Sequence, residues 1–354
     1  ADEIADKMIE FVPIARTLLG VRDLKIITFG PRPQDFFACN APIKGLYELG
    51  VEVEENSELD LLVSYKEHAN DPRIEDVCKD MAAEMGEGHY YPDLLARMAQ
   101  FELTLLDWAD AHKGNKKYVA FADKCWPAFP SQFGFEPCYV NSRLVSRGIP
   151  VSCEVDIYGA LSEYIGMCAS GDTVTLLDIN NSVPQYIYDE DIAGKFDYSL
   201  TDTFMGFHCG NTPSCKMCAD RAVKYQLIQH RLLEPAGSDP DFTRGTLEGD
   251  IAPSDITFYR LQCDSEGNLR SYIAEGEILP VATRSFGGIA IFGIHEMGRF
   301  YRHVLVQKRY PHHGAVAFGH YGKILFEVLK FLGIQDIAYT QPKSLPYPTE
   351  NPFA

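Results

Sequence analysis

The sequence predicts an α/β protein in which a parallel-sheet βαβ domain precedes a mainly antiparallel β-rich C-terminal domain, closed as a β-barrel-like unit or sandwiched. Three observations carry this reading. Over residues 1–170, short apolar runs alternate with patterns of helical period, the signature of parallel βαβ units. Beyond that point, short alternating runs separated by turn residues take over. The chain has 354 residues, 46% of them hydrophobic, with 21 Phe and 19 Tyr, enough apolar material for two cores. Residues 1–170 are therefore assigned to the α/β domain and 171–354 to the β-rich domain.

The elements follow in order. Ile4, Met8, Phe11, Ala15 and Leu18 recur at helical spacing, with Pro13 as a kink and Gly20 as a stop. Leu24 to Phe29 is a strand closed by Gly30, and a Pro31–Pro33 loop leads to a helix through Leu46 and Leu49. Val51–Val53 is a short strand and Leu59–Tyr65 a second apolar run. Helices are expected over 72–85 and 91–111, and a strand at Tyr118–Phe121. Ile157–Ala169 is a helix with Asp156 as its N-cap and Gly171 just past its end. Strands are expected at 256–261, 269–273, 278–281 and 288–292, with a turn at Asp264–Gly267. A last helix spans Tyr321–Phe331, and a Pro-rich tail from Pro342 to Pro352 lies extended on the surface.

Composition excludes some functions. A net charge of −18 repels phosphate backbones, and no Lys/Arg cluster overrides it, so nucleic acid is not an expected partner. No apolar stretch approaches the roughly 18 residues of a spanning helix, and the acidic start has no signal-peptide pattern. Ten cysteines spread along the chain read as reduced, buried thiols. The expected location is the cytoplasm.

The chemistry concentrates in three places. Glu154 lies between a short apolar strand and a helix start, and Asp178 ends the run Thr173–Asp178. His312 and His313 open another apolar run near the C-terminus. Two carboxylates and an imidazole at the ends of buried elements suit one divalent cation such as Mn²⁺. A buried carboxylate needs partners, which weighs against Glu154 as an ordinary surface residue.

Cys153-Glu154-x-Asp156-x-x-Gly159-Ala160-Leu161 resembles the Cys-Glu-x-Asp-x-x-Gly-Ala-Leu segment of the L-fucose isomerase family, whose wider group includes the L-arabinose isomerases. Asp178 follows Glu154 by 24 residues (178 − 154), about where that family carries its second metal carboxylate. Ser254-Asp-Ile-Thr-Phe-Tyr-Arg260 is similar to the family's Gly-Asp-Phe-Thr-x-x-Arg strand, and His312-His313-Gly-Ala-Val to its late histidine motif. The resemblance covers nearly the whole chain. It implies a Mn²⁺-dependent (or other divalent-metal) aldose–ketose isomerase acting on L-fucose, D-arabinose or a related sugar through a cis-enediol. It also implies a homo-oligomer, commonly a hexamer, and a further N-terminal domain ahead of the residues seen here. Glu154 and Asp178 are then both metal ligands and the acid–base pair. Arabinose isomerases favour His313 as the imidazole ligand, whereas fucose isomerases leave His312 open.

Gly206-Phe-His-Cys-Gly-Asn211 departs from the best-known fucose isomerases, which bears on the sugar. On this reading His208 and Asn211 line the sugar pocket, with Gly206 and Gly210 in a tight loop, and Trp126 stacks on a sugar face or fills core. His208, Cys209, Cys215 and Cys218 also offer four Zn²⁺ ligands within eleven residues, but without a second distant pair. Asp156 reads as a helix cap rather than a ligand, and Arg260 as a residue that holds a carboxylate across the sheet. Two other classes compete with the isomerase: a non-catalytic sugar-binding relative, and a metal-dependent sugar lyase or epimerase.

Overall fold

The computed structural model describes residues 2–34, 36–351 and 353. Pro352 and the side chain of Ile4 lie outside that description. The first helix, Asp2–Arg22, runs through both expected interruptions. Gly20 is there for contact, not for stopping: a Cβ on it would lie 2.8 Å from Tyr164 Oη. The glycine lets this helix approach the helix Ile157–Ser170 closely. Pro13 also stays inside the helix, and its carbonyl accepts a 2.7 Å hydrogen bond from Thr17 Oγ1.

Four strands form a parallel sheet: β1 (Leu24–Phe29), β2 (Glu52–Asn56), β3 (Tyr118–Ala122) and β4 (Val151–Ser152), in the order β2-β1-β3-β4. Every residue of β1 is buried, as expected for a strand covered on both faces. The untyped apolar run after β2 is a helix, Glu58–Glu67. Ser57 starts it by accepting the Leu59 N–H, and Asp60 accepts the Ser57 N–H in return. Helices Ile74–Met85 and Leu95–His112 match the expected spans to within a few residues.

A nine-stranded sheet follows, in the order β13-β10-β9-β12-β5-β6-β11-β8-β7. Its members are β5 (Val174–Asn181), β6 (Thr203–His208), β7 (Ala222–Tyr225), β8 (Arg244–Asp250), β9 (Ser254–Cys263), β10 (Leu269–Ile278), β11 (Gly288–Gly293), β12 (His313–Phe318) and β13 (Asp336–Tyr339). The pairs are mostly antiparallel, with β10–β13 and β8–β11 parallel. The pairs Glu277–Gly293 and Ile278–Phe292 also bring β10 onto β11. Two expectations need correction. Residues 278–281 are not a separate strand, because β10 runs unbroken to Ile278. Gly206 is not in a loop, because it sits inside β6 opposite Ala290.

The helix Ile157–Ser170 joins the two sheets. Its residues share one core with Ile26 and Ala120 of the parallel sheet and with Leu176, Tyr259 and Ala315 of the second. Its contact with β9 is so close that a Cβ on Gly166 would lie 1.7 Å from Tyr259 Oη. None of the described helices is long and apolar enough to cross a membrane.

That helix also buries Glu163 completely, and neither carboxylate oxygen has a hydrogen-bond partner among the described residues. Burial first, then the nearby Asp156 charge, push its carboxyl up to about 8. The folded state thus keeps this proton after the unfolded chain has released it. The contribution to stability is complete below the ordinary glutamate range and is lost as pH rises toward 8. Glu163→Gln removes the titration and keeps the shape. Thermal unfolding from pH 5 to 8.5 is expected to show the variant gaining on the parent as pH rises. A gap that stays constant across that range would contradict the assignment.

Candidate active site

The backbone after β4 presents Glu154. Glu154 has φ 63° and ψ 23°, and Val155 has φ 55°, so two consecutive non-glycine residues are left-handed. Such conformations cost about 1–3 kcal/mol each and persist only where neighbours impose them. Here the Val155 N–H is tied to the Asp123 carbonyl at 2.8 Å, and Asp156 then caps the next helix through the Gly159 N–H at 2.8 Å. The turn directs Glu154 toward the second sheet.

Strand register supplies the rest. His313 opens β12 directly opposite Asp178 on β5, and Asp178 is in turn opposite Phe207, next to His208. His313 Nε2 lies 3.0 Å from Asp178 Oδ1 and 3.1 Å from Glu154 Oε2. Its other nitrogen, Nδ1, lies 2.8 Å from Asp156 Oδ2. His313 is fully buried. Arg260, also fully buried, grips Asp156 with both terminal nitrogens at 2.7 and 2.8 Å.

The charges shift accordingly. Burial alone would raise the Asp156 carboxyl, but the Arg260 charge and the His313 contact hold it well below the usual carboxylate range. Burial opposes ionisation of Asp178 too, and His313 outweighs it, leaving that group lowered. Burial would lower His313, yet contacts with Asp156, Asp178, Cys39 and Glu154 raise it well above an ordinary histidine. His312 moves the other way, lowered by burial and by its neighbour His313.

These residues fit a divalent cation. Glu154 Oε2, Asp178 Oδ1 and His313 Nε2 are buried and close together, yet none makes an aligned hydrogen bond. Glu154, His208 and His313 form one group able to hold a metal, and Asp178, His312 and His313 form another. Three carboxylates, Glu154, Asp156 and Asp178, surround His313, and one guanidinium, Arg260, pairs with Asp156. With the imidazole deprotonated for ligation, the buried cluster would carry two uncompensated negative charges, which suits a divalent ion. Oxygen and imidazole donors together suit a hard or borderline metal.

The remaining expected residues divide. His312 sits at the rim, with 41% of its side chain exposed and Nε2 3.6 Å from Asp178 Oδ1. His208 is buried, its ring centroid is 5.8 Å from that of His313, and its Nε2 has no hydrogen-bond partner. Asn211 is buried with both side-chain polar atoms unpartnered. Trp126 is partly exposed in the loop after β3. His208, Cys209, Cys215 and Cys218 do not come together as a zinc set among the described residues. His208 turns toward His313, whereas the exposed Cys215 has its Sγ 4.0 Å from Thr173 Oγ1. Asp156 is a cap as expected, and it also bonds His313, which the sequence reading missed. Cys39, with Sγ 3.9 Å from His313 Nδ1, was missed as well, because nothing around it in sequence marks it.

Comparison with known proteins points to sugar isomerases. Residues 206–339 match the family model described as the L-fucose isomerase C-terminal domain. Proteins named sulfoquinovose isomerase from Priestia aryabhattai and Priestia megaterium are each 24% identical over 345 residues, covering 95% of this chain and 69% of theirs. One of the same name from a Clostridium species is 25% identical over 296 residues, covering 78% of this chain and 56% of its own. The chain is thus similar in its C-terminal region to the L-fucose isomerase C-terminal domain, and along most of its length to proteins named as sugar isomerases.

Proposed function

We propose that this enzyme interconverts an aldose and its ketose at the Glu154–Asp178–His313 centre, with L-fucose, D-arabinose or a related sugar as substrate. The observation that carries the reading is that Glu154 Oε2 and Asp178 Oδ1, from two separate elements, lie 3.1 and 3.0 Å from the buried Nε2 of His313 on a third, with none of the three atoms in an aligned hydrogen bond among the described residues. Glu154, Asp178 and His313 would hold a divalent cation, Mn²⁺ being the first choice, with His208 beside them. When bound, that ion polarises the C1 and C2 oxygens of the sugar.

The protein's own residues move the protons. One carboxylate of the Glu154–Asp178 pair takes the proton from C2 of the aldose and returns it to C1, through a cis-enediol. The other accepts the O2 proton and supplies one to O1, so the protein ends in its starting state. Two carboxylates can divide this work because their surroundings differ: Asp178 sits opposite His313 across the sheet, while Glu154 rides on the strained turn. His208 and Asn211, with unpartnered buried polar atoms, would receive sugar hydroxyls.

A sulfonated hexose is a second substrate reading. The relatives' printed name favours it, as does a 690 Å³ cleft lined by Arg32, Lys124, Cys39 and Val155. Cys39 and Val155 connect that cleft to the surroundings of His313 and Glu154. Lys124 already pairs with Glu58 at 3.1 Å and would have to be shared.

Two experiments test the proposal. With Mn²⁺ present, proton NMR in D₂O is expected to show deuterium entering C2 of the substrate, together with ketose formation, for one sugar of a panel containing L-fucose, D-arabinose and sulfoquinovose. Binding without exchange would favour a non-catalytic relative, and a changed carbon skeleton or stereocentre would favour a lyase or epimerase. In the second, Glu154→Gln is expected to lower turnover about 10²–10⁴-fold and to weaken Mn²⁺ binding in calorimetry. Undiminished binding by this variant would count against the site.

A further inference from the structure

We infer that Arg260 and Asp156 form a positioning pair that fixes which nitrogen of His313 is available to a metal. The inference rests on the metal reading above and concerns residues that touch neither sugar nor cation.

All five N–H donors of Arg260 are spent inside the protein. Nε donates to Gln262 Oε1 at 2.9 Å, and Nη2 donates to the same oxygen at 2.7 Å and to Asp156 Oδ1 at 2.8 Å. Nη1 donates to Asp156 Oδ2 at 2.7 Å and to the His313 carbonyl at 3.3 Å. A guanidinium has five donors and no acceptor, so nothing remains for a substrate. Its place on β9, beside β12, holds it rigidly under the site.

Asp156 is filled in the same way. Oδ1 accepts from Gly159 N–H and Arg260, and Oδ2 accepts from Arg260 and faces His313 Nδ1. A carboxylate so held can only accept, so Nδ1 of His313 must carry the hydrogen. A neutral imidazole has a single N–H, which leaves the lone pair on Nε2, pointed at Glu154 and Asp178. The pair thus selects the tautomer that can ligate. Such partners of a ligating histidine commonly govern about 10–100-fold in metal affinity.

Asp156→Asn separates this role from a purely structural one. Asparagine keeps the helix cap. Arg260 claims its carbonyl oxygen and turns the amide N–H₂ toward His313 Nδ1, which must then accept and move its hydrogen to Nε2. Mn²⁺ affinity, followed by loss of the free-ion EPR signal, is expected to fall 10–100-fold in Asp156→Asn. It should fall further than in Asp156→Ala, which imposes no tautomer. Affinity for Asp156→Asn within threefold of the parent would overturn the inference. Should the variants fail to fold, ¹⁵N NMR of the parent loaded with ¹¹³Cd²⁺ decides. Coupling of cadmium to His313 Nε2, with the hydrogen on Nδ1, is expected, and coupling to Nδ1 would overturn it. A parent that binds neither Mn²⁺ nor Cd²⁺ overturns the metal reading itself, and this inference with it. That outcome is distinct from a parent that binds while Asp156→Asn binds equally well.

Discussion

Three carboxylates packed around one buried imidazole are the constraint on which this molecule depends. Like charges in a low-dielectric interior repel strongly unless something compensates them. Arg260 compensates one. A divalent cation held by Glu154, Asp178 and His313, as proposed, would compensate the other two, in the place where the proposed isomerisation would use it. Stability and function therefore draw on one electrostatic arrangement.

The scaffold brings the parts together by simple means. A strand end, a two-residue left-handed turn and a helix cap set Glu154 and Asp156 two residues apart yet in different roles. The first lies against the face of His313 that bears Nε2, and the second bonds the opposite nitrogen. Antiparallel pairing of β5 with β12 fixes Asp178 across from His313. The helix Ile157–Ser170 carries the cap and is packed in one core with both sheets, so the site lies where the two layers meet. Glycines at 20 and 166 permit the close approaches that hold that helix still.

Much of this was legible in the sequence, and the gaps have physical causes. Glu154 and Asp178 stood out because charged residues at the ends of apolar runs need partners. The choice between His312 and His313 did not show, because β12 is buried almost throughout and has no alternation to mark its inward face. For the same reason β6 read as a loop: Thr-Phe-Met-Gly-Phe-His is wholly buried and contains a glycine. β8, Arg-Gly-Thr-Leu-Glu-Gly-Asp, has too little apolar character to announce a strand. Gly20 suggests a helix end in the sequence because its real partner, Tyr164, is far away along the chain. The zinc alternative, already weak for want of a second distant pair, finds no geometry among the described residues, since spacing along the chain does not fix which way His208 turns. The part of Asp156 in holding His313 depends on a contact across 157 residues, beyond any local signal.

The central claim is that one cation binds the three converging atoms, and the most direct measurement is a crystal structure of Mn²⁺-loaded protein with anomalous scattering collected at the manganese edge. The account predicts a single strong anomalous peak bonded to Glu154, Asp178 and His313 Nε2, with Asp156 still on Nδ1. A peak elsewhere, or ordered hydrogen bonding among these side chains with no peak at saturating Mn²⁺, would contradict it.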